Sequence, residues 1–124
     1  MNRVVITGLG VISCLGNNHN EVLNSLQKSK SGLSINQDYI DNGMRCHVSG
    51  QVDPDLSVID RKMLRFMSET SAYAFLSTKE AITDAGLKPE EVSNDEVGVI
   101  VGSGTGSSRE LKNVVDTARE KGVK

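Results

Sequence analysis

The chain contains no tryptophan, and only two phenylalanines and two tyrosines supply aromatic bulk among its 124 residues. Any core must therefore be built from Val, Ile, Leu and Ala. Its two cysteines, Cys14 and Cys46, lack the close pairing of a metal site or a disulfide framework. No apolar run approaches the roughly 18 residues that would span a membrane, because charges interrupt every longer window. The N-terminus also lacks the apolar stretch between a basic start and a small-residue cleavage site that marks a secretory signal. These absences place the chain in the cytoplasm with reduced thiols. A net charge of -2 and a pI near 5.6 argue against nucleic acid as a partner.

The length suits one domain, residues 1–124, which could bury about two-thirds of the surface of its unfolded chain. Arg3-Val4-Val5-Ile6-Thr7-Gly8-Leu9-Gly10 is a β-branched run stopped by glycines, the pattern of a buried parallel strand. Asn18 and Glu21 are spaced as a capping box, and Val22, Leu23 and Leu26 continue at helical spacing toward Gly32. Residues 33 to 57 are polar and predict a long loop with one extended piece over 45–52. Ser68 predicts the cap of a helix through Ala85, with Gly86 as its left-handed stop and Pro89 preventing resumption. A second buried strand is expected over Val97-Gly98-Val99-Ile100-Val101, followed by a glycine-rich turn, 102–108, and a further helix through Leu111, Val114, Val115 and Ala118. The order βα, α, βα implies an α/β fold with parallel strands and right-handed helical crossovers. Two strands alone make a poor sheet, so the fold reads as incomplete.

Both glycine turns invite a nucleotide-binding reading, and both fall short of it. In the first, Ser13 replaces the third glycine of a dinucleotide fingerprint, and no helix opens directly from the turn. The second has no Lys-Ser/Thr end to hold a phosphate, so a tight strand-to-helix bend is the simpler expectation. His19 and His47 are not placed by sequence near a nucleophile, and Cys14 reads as a small packing residue.

The segment Asp60-Arg61-Lys62-Met63-Leu64-Arg65-Phe66 concentrates positive charge within a mildly acidic chain. If a helix begins near Asp60, Arg61 and Arg65 lie four apart on one face with Lys62 beside them, while Met63, Leu64 and Phe66 turn inward. Two outcomes are open. The cations either pair with nearby Asp55, Asp60 or Glu69 as a solvated face, or they receive an anionic partner.

Six segments in order, RVVITGLGVIS, GNN, GMRCHVSG, IDRKMLRFMS, YAFLSTKEAITDAGL and VGVIVGSGTGSSRE, resemble the N-terminal part of β-ketoacyl-[acyl-carrier-protein] synthases, most closely the type I branch of bacterial fatty-acid synthesis. The resemblance covers nearly the whole chain. It implies an incomplete N-terminal half of a thiolase-like fold, mostly parallel sheet with helical crossovers, within a homodimeric acyltransferase that performs decarboxylative Claisen condensation. It further implies acyl carrier protein as partner, docked by Arg61, Lys62 and Arg65, with Thr105 at the gate of the acyl pocket. Type I relatives often carry a small residue at that gate and type II relatives a larger aliphatic one, so Thr105 leaves the branch open. No metal or organic cofactor is implied beyond the carrier's phosphopantetheine arm. The family's nucleophilic Cys and two assisting His are expected beyond Lys124, so no catalytic role passes to Cys14, Cys46, His19 or His47. The implied piece is expected to be inactive by itself. The competing expectation is a non-catalytic small protein that holds an acidic partner through Arg61, Lys62 and Arg65.

Overall fold

Helix α1, His19–Gln27, begins where Asn18 places its side-chain carbonyl on the Glu21 N–H at 2.9 Å. The expected capping box is displaced by one residue: the Glu21 carboxylate accepts from the N–H of Asn17 at 2.8 Å instead of that of Asn18. Ser29, at φ 51, breaks the helix before Gly32. The computed structural model describes residues 3–122.

The polar stretch after α1 is more structured than its composition predicts. Strand β1, Leu33–Ile35, pairs antiparallel with β2, Val48–Gly50, in the register Leu33↔Gly50, Ser34↔Ser49 and Ile35↔Val48. Between them lies the short helix α2, Gln37–Asp41, and after them a 3-10 turn at Leu56–Val58. Helix α3 is a single turn, Arg61–Leu64, and α4, Glu69–Asp84, is the longest element. The Ser68 hydroxyl caps α4 through the N–H of Ser71, and Gly86 at φ 67 terminates it, with the Gly86 and Leu87 amides returning to Thr83 and Ile82. Pro89 does not keep the chain out of helix: it opens α5, Pro89–Val92, at a first-turn position where its missing N–H costs nothing. Helix α6, Ser108–Lys121, starts at the Ser107 cap and stops at Gly122 with φ 75.

The sheet departs from the expected topology. Neither 3–10 nor 97–101 joins a ladder, and the one sheet among the described residues is the two-stranded antiparallel pair β1-β2. Both runs are β-branched, but a strand is completed only by a neighbouring strand, and no strand pairs with either run. Their side chains are correspondingly bare, with Val4 94% and Ile100 100% exposed. Ile59, Ala72 and Pro54 are the buried apolar residues among those described. The surface of 10513 Å² is about 1.6 times the roughly 6,500 Å² of a compact 13.3 kDa domain. No helix of the described residues is long and apolar enough to cross a membrane.

Candidate functional site

The basic segment is organised by its own acid. One Asp60 carboxylate oxygen accepts from the backbone N–H groups of Lys62 at 2.8 Å and Met63 at 3.3 Å, which turns the chain into α3 and commits that carboxylate to capping. The other acids that could neutralise the cluster are also engaged. Asp55 caps the 3-10 turn through Ser57 N–H, and Glu69 accepts from the Arg109 guanidinium. Ser57 lowers the Asp55 pKa through its side-chain and backbone hydrogen bonds, with a small opposing effect of burial. Arg61, Lys62 and Arg65 are exposed and form no ion pair among the described residues, so the self-paired alternative is not realised. The apolar neighbours correct the expectation of an inward face. Leu64 is half-buried, but Met63 is 47% and Phe66 90% exposed, because a single helical turn is too short to present a buried stripe.

The glycine-rich turn 102–107 also faces solvent. The Gly106 amide donates to the Ser103 hydroxyl at 3.0 Å, and Gly106 takes φ 66, a conformation that favours glycine. Thr105 precedes it and is exposed. The turn is therefore a hydroxyl-braced bend into α6. The Arg109–Glu69 pair joins the first turn of α6 to the first turn of α4, and Thr105 and Arg65 each stand four residues before a member of that pair.

The first glycine turn proves to be a seat on α4. A Cβ on Gly8 would lie 2.2 Å from the Ala81 carbonyl oxygen, and one on Gly10 would lie 1.8 Å from that of Ser77. Glycine is needed there so that backbone can meet helix. The seated segment directs the Leu9 N–H to an Asp84 carboxylate oxygen at 2.9 Å and the Val11 N–H to Glu80 at 2.8 Å. The spacing fits: two residues of extended chain span about 6.6 Å, and four residues of helix span about 6 Å. The other Glu80 oxygen accepts from the His19 N–H at 2.8 Å and meets His19 Nδ1 at 2.9 Å. Burial raises the Glu80 pKa, but the His19 and Val11 amides and the His19 ring outweigh it, so the carboxyl titrates below its ordinary range. Sequence reading missed Glu80 and Asp84. The available signal was two acids four apart on α4, on the helix that carries Ser77, Ala81 and Ala85 toward the glycines.

His19 is thus engaged with a carboxylate and not with a thiol. Cys14 and Cys46 are free and exposed, and Cys14 lies against the backbone at Gly32 and Gly50, where an added Cβ would meet its sulfur at 2.6 and 2.9 Å. His47 contributes its carbonyl oxygen to the Asn36 N–H at 2.8 Å. Among the described residues no three His, Cys, Asp or Glu side chains form a group that could hold a metal.

Comparison with known proteins agrees with the order of these segments. Residues 1–123 match the family model described as "Beta-ketoacyl synthase, N-terminal domain". The chain is 55% identical over 111 residues to the 3-oxoacyl-[acyl-carrier-protein] synthase 1 of Escherichia coli strain K12, covering 88% of this chain and 27% of that protein. Its identity to the protein of the same name from Haemophilus influenzae is 48% over 126 residues, covering 100% of this chain and 31% of the relative. A 3-oxoacyl-[acyl-carrier-protein] synthase 2 from Synechocystis is more distant, at 31% over 122 residues, 97% of this chain and 29% of the relative. The chain thus spans about three-tenths of the length of these relatives. With its segments aligned along residues 1–123, it belongs to the β-ketoacyl synthase family, as sequence of that family's N-terminal domain.

Proposed function

We propose that this chain is the N-terminal part of a cytoplasmic, homodimeric 3-oxoacyl-[acyl-carrier-protein] synthase and that its share of the work is to receive the carrier and border the acyl pocket. The reaction of the whole protein joins an acyl group, held as a thioester on a cysteine, to a carrier-bound malonyl thioester. Loss of carbon dioxide from the malonyl group supplies the carbanion, which attacks the acyl carbonyl to form the new carbon–carbon bond and expels the cysteine thiolate. The residues that perform that step are expected beyond residue 124.

The observation that carries the docking role is the set of three exposed cations, Arg61, Lys62 and Arg65, whose nearby acids are each occupied elsewhere. A cluster left unneutralised attracts an acidic partner, and steering of this kind raises encounter rate and weakens with salt. Thr105 borders the acyl pocket from the bend before α6. The bare runs 3–10 and 97–101 are strands of the parallel sheet that the whole thiolase-like fold completes. The relatives are more than three times as long as this chain, which leaves ample sequence to cover those runs.

The second reading, a free-standing small protein that binds an acidic partner without catalysis, is disfavoured by the surface area. A self-sufficient domain of this mass would expose about 6,500 Å², well below the 10513 Å² found.

Reversing all three charges to Glu in the full-length protein tests the docking role. Binding of the acidic carrier should weaken at least tenfold at low ionic strength, and the deficit should shrink as salt approaches the molar range. Equal affinity of variant and parent at low salt would sink the assignment.

A further inference from the structure

The N-terminal segment is fastened to α4 by carboxylates where a strand would be fastened by a neighbouring backbone. Glu80 alone takes three hydrogens, from the Val11 N–H, the His19 N–H and the His19 ring, and Asp84 one turn later takes the Leu9 N–H. These partners lie 61 to 75 positions apart in the chain, so they join distant segments. An ionised carboxylate can only accept. His19 Nδ1 must therefore carry a hydrogen and donate it, which fixes the ring's tautomer while Glu80 is charged.

We propose that Glu80 and His19 form a proton-sensitive clasp that holds residues 11–19 and the start of α1 on α4 while Glu80 is ionised, and releases them when Glu80 takes up a proton. A protonated carboxyl loses much of its acceptor strength and gains a hydrogen of its own, while each of the three groups bonded to it needs an acceptor. It cannot satisfy the same three groups.

The charged groups around the clasp leave Glu80 as its switch. His19 and Glu21 come from α1, Asp55 from the cap of the 3-10 turn, and Lys79 and Asp84 from α4, all lining one open cleft of about 710 Å³. Residues 9 and 11 contribute backbone amides. Glu21, Asp55 and Asp84 are occupied by the amides of Asn17, Ser57 and Leu9, and Lys79 forms no ion pair among the described residues. The titratable side chain that bonds Glu80 is therefore His19. The sign follows from the lowered Glu80 pKa: the stabilisation is complete above the ordinary glutamate range and is lost as pH falls through the lowered value.

Amide hydrogen exchange on the full-length protein, with intrinsic rates corrected for pH, tests the clasp. Protection at Val11 and His19 should fall about tenfold or more across the Glu80 titration, the loss expected when hydrogen bonds to a charged acceptor are removed. In Glu80→Gln, protection at both amides should be reduced throughout and show no pH step. A step that persists in Glu80→Gln, or protection in that variant equal to the parent's at every pH, overturns the proposal. If Glu80→Gln does not fold, the parent protein decides through the nitrogen chemical shift of His19 Nδ1. Above the step it should be that of a hydrogen-bearing ring nitrogen, and an Nδ1 without hydrogen there overturns the clasp.

Discussion

Arg109 donates its guanidinium to the Glu69 carboxylate, so the first turn of α6 is tied to the first turn of α4 across 40 positions of chain. The pair is substantially exposed, and such pairs contribute about 1 kcal/mol or less to stability. Its value is in register: it sets the bend carrying Thr105 relative to the basic segment that leads into α4. If Thr105 borders the acyl pocket as proposed, Thr105→Ile in the full-length protein should lower the yield of the longest product chains several-fold while carrier affinity stays unchanged. Products separated by chain length provide the measurement. An unaltered distribution would remove Thr105 from the pocket wall.

Gly10→Ala should be among the most damaging small substitutions in this chain. Its Cβ would stand 1.8 Å from the Ser77 carbonyl oxygen, a backbone atom that cannot rotate away. Overpacking of that kind costs about 1–3 kcal/mol or more. Gly102→Ala meets open space in this chain and should stay within about 0.5 kcal/mol. Denaturant midpoints of the two variants decide the matter, and equal midpoints would mean that residues 8–10 are not seated on α4.

Tyr73 should ionise late. Burial raises its phenol above the usual value, Glu69 raises it further, Arg109 opposes them, and Asp53 adds a smaller rise. The folded value exceeds the unfolded one, so this contribution to stability is complete below about pH 10 and is lost as pH rises through the folded value. Ultraviolet titration of the parent against Tyr73→Phe isolates the phenol. Glu69→Gln should bring its ionisation down and Arg109→Ala should push it up; a Tyr73 that titrates at or below pH 10 contradicts the account.

Much of the helical structure was legible in short sequence windows. The Asn18 and Ser68 caps, the Gly86 stop and the spacing of Leu111, Val114, Val115 and Ala118 each act within a few residues, which is why reading the chain locally finds α1, α4 and α6. The basic patch was legible for the same reason, although the outward Phe66 was not, since four residues hold no amphipathic period. The strands failed differently. A β-branched run such as Val97 to Val101 declares extended backbone but cannot name its neighbour, and pairing belongs to two segments at once. The fastening of residues 9–19 lay equally out of reach, because nothing near His19 announces a carboxylate 61 positions away.

That distance has a consequence during synthesis. Residues 8–11 are made before α4, and the Asp84 carboxylate that receives Leu9 follows 75 residues later. At about 5–20 residues per second the interval is roughly 4 to 15 s. Over those seconds Val4, Val5, Ile6 and Leu9 travel with the nascent chain before α4 exists to seat the glycines behind them. This apolar segment thus waits for its seat, and the nascent polypeptide carries it exposed in the meantime.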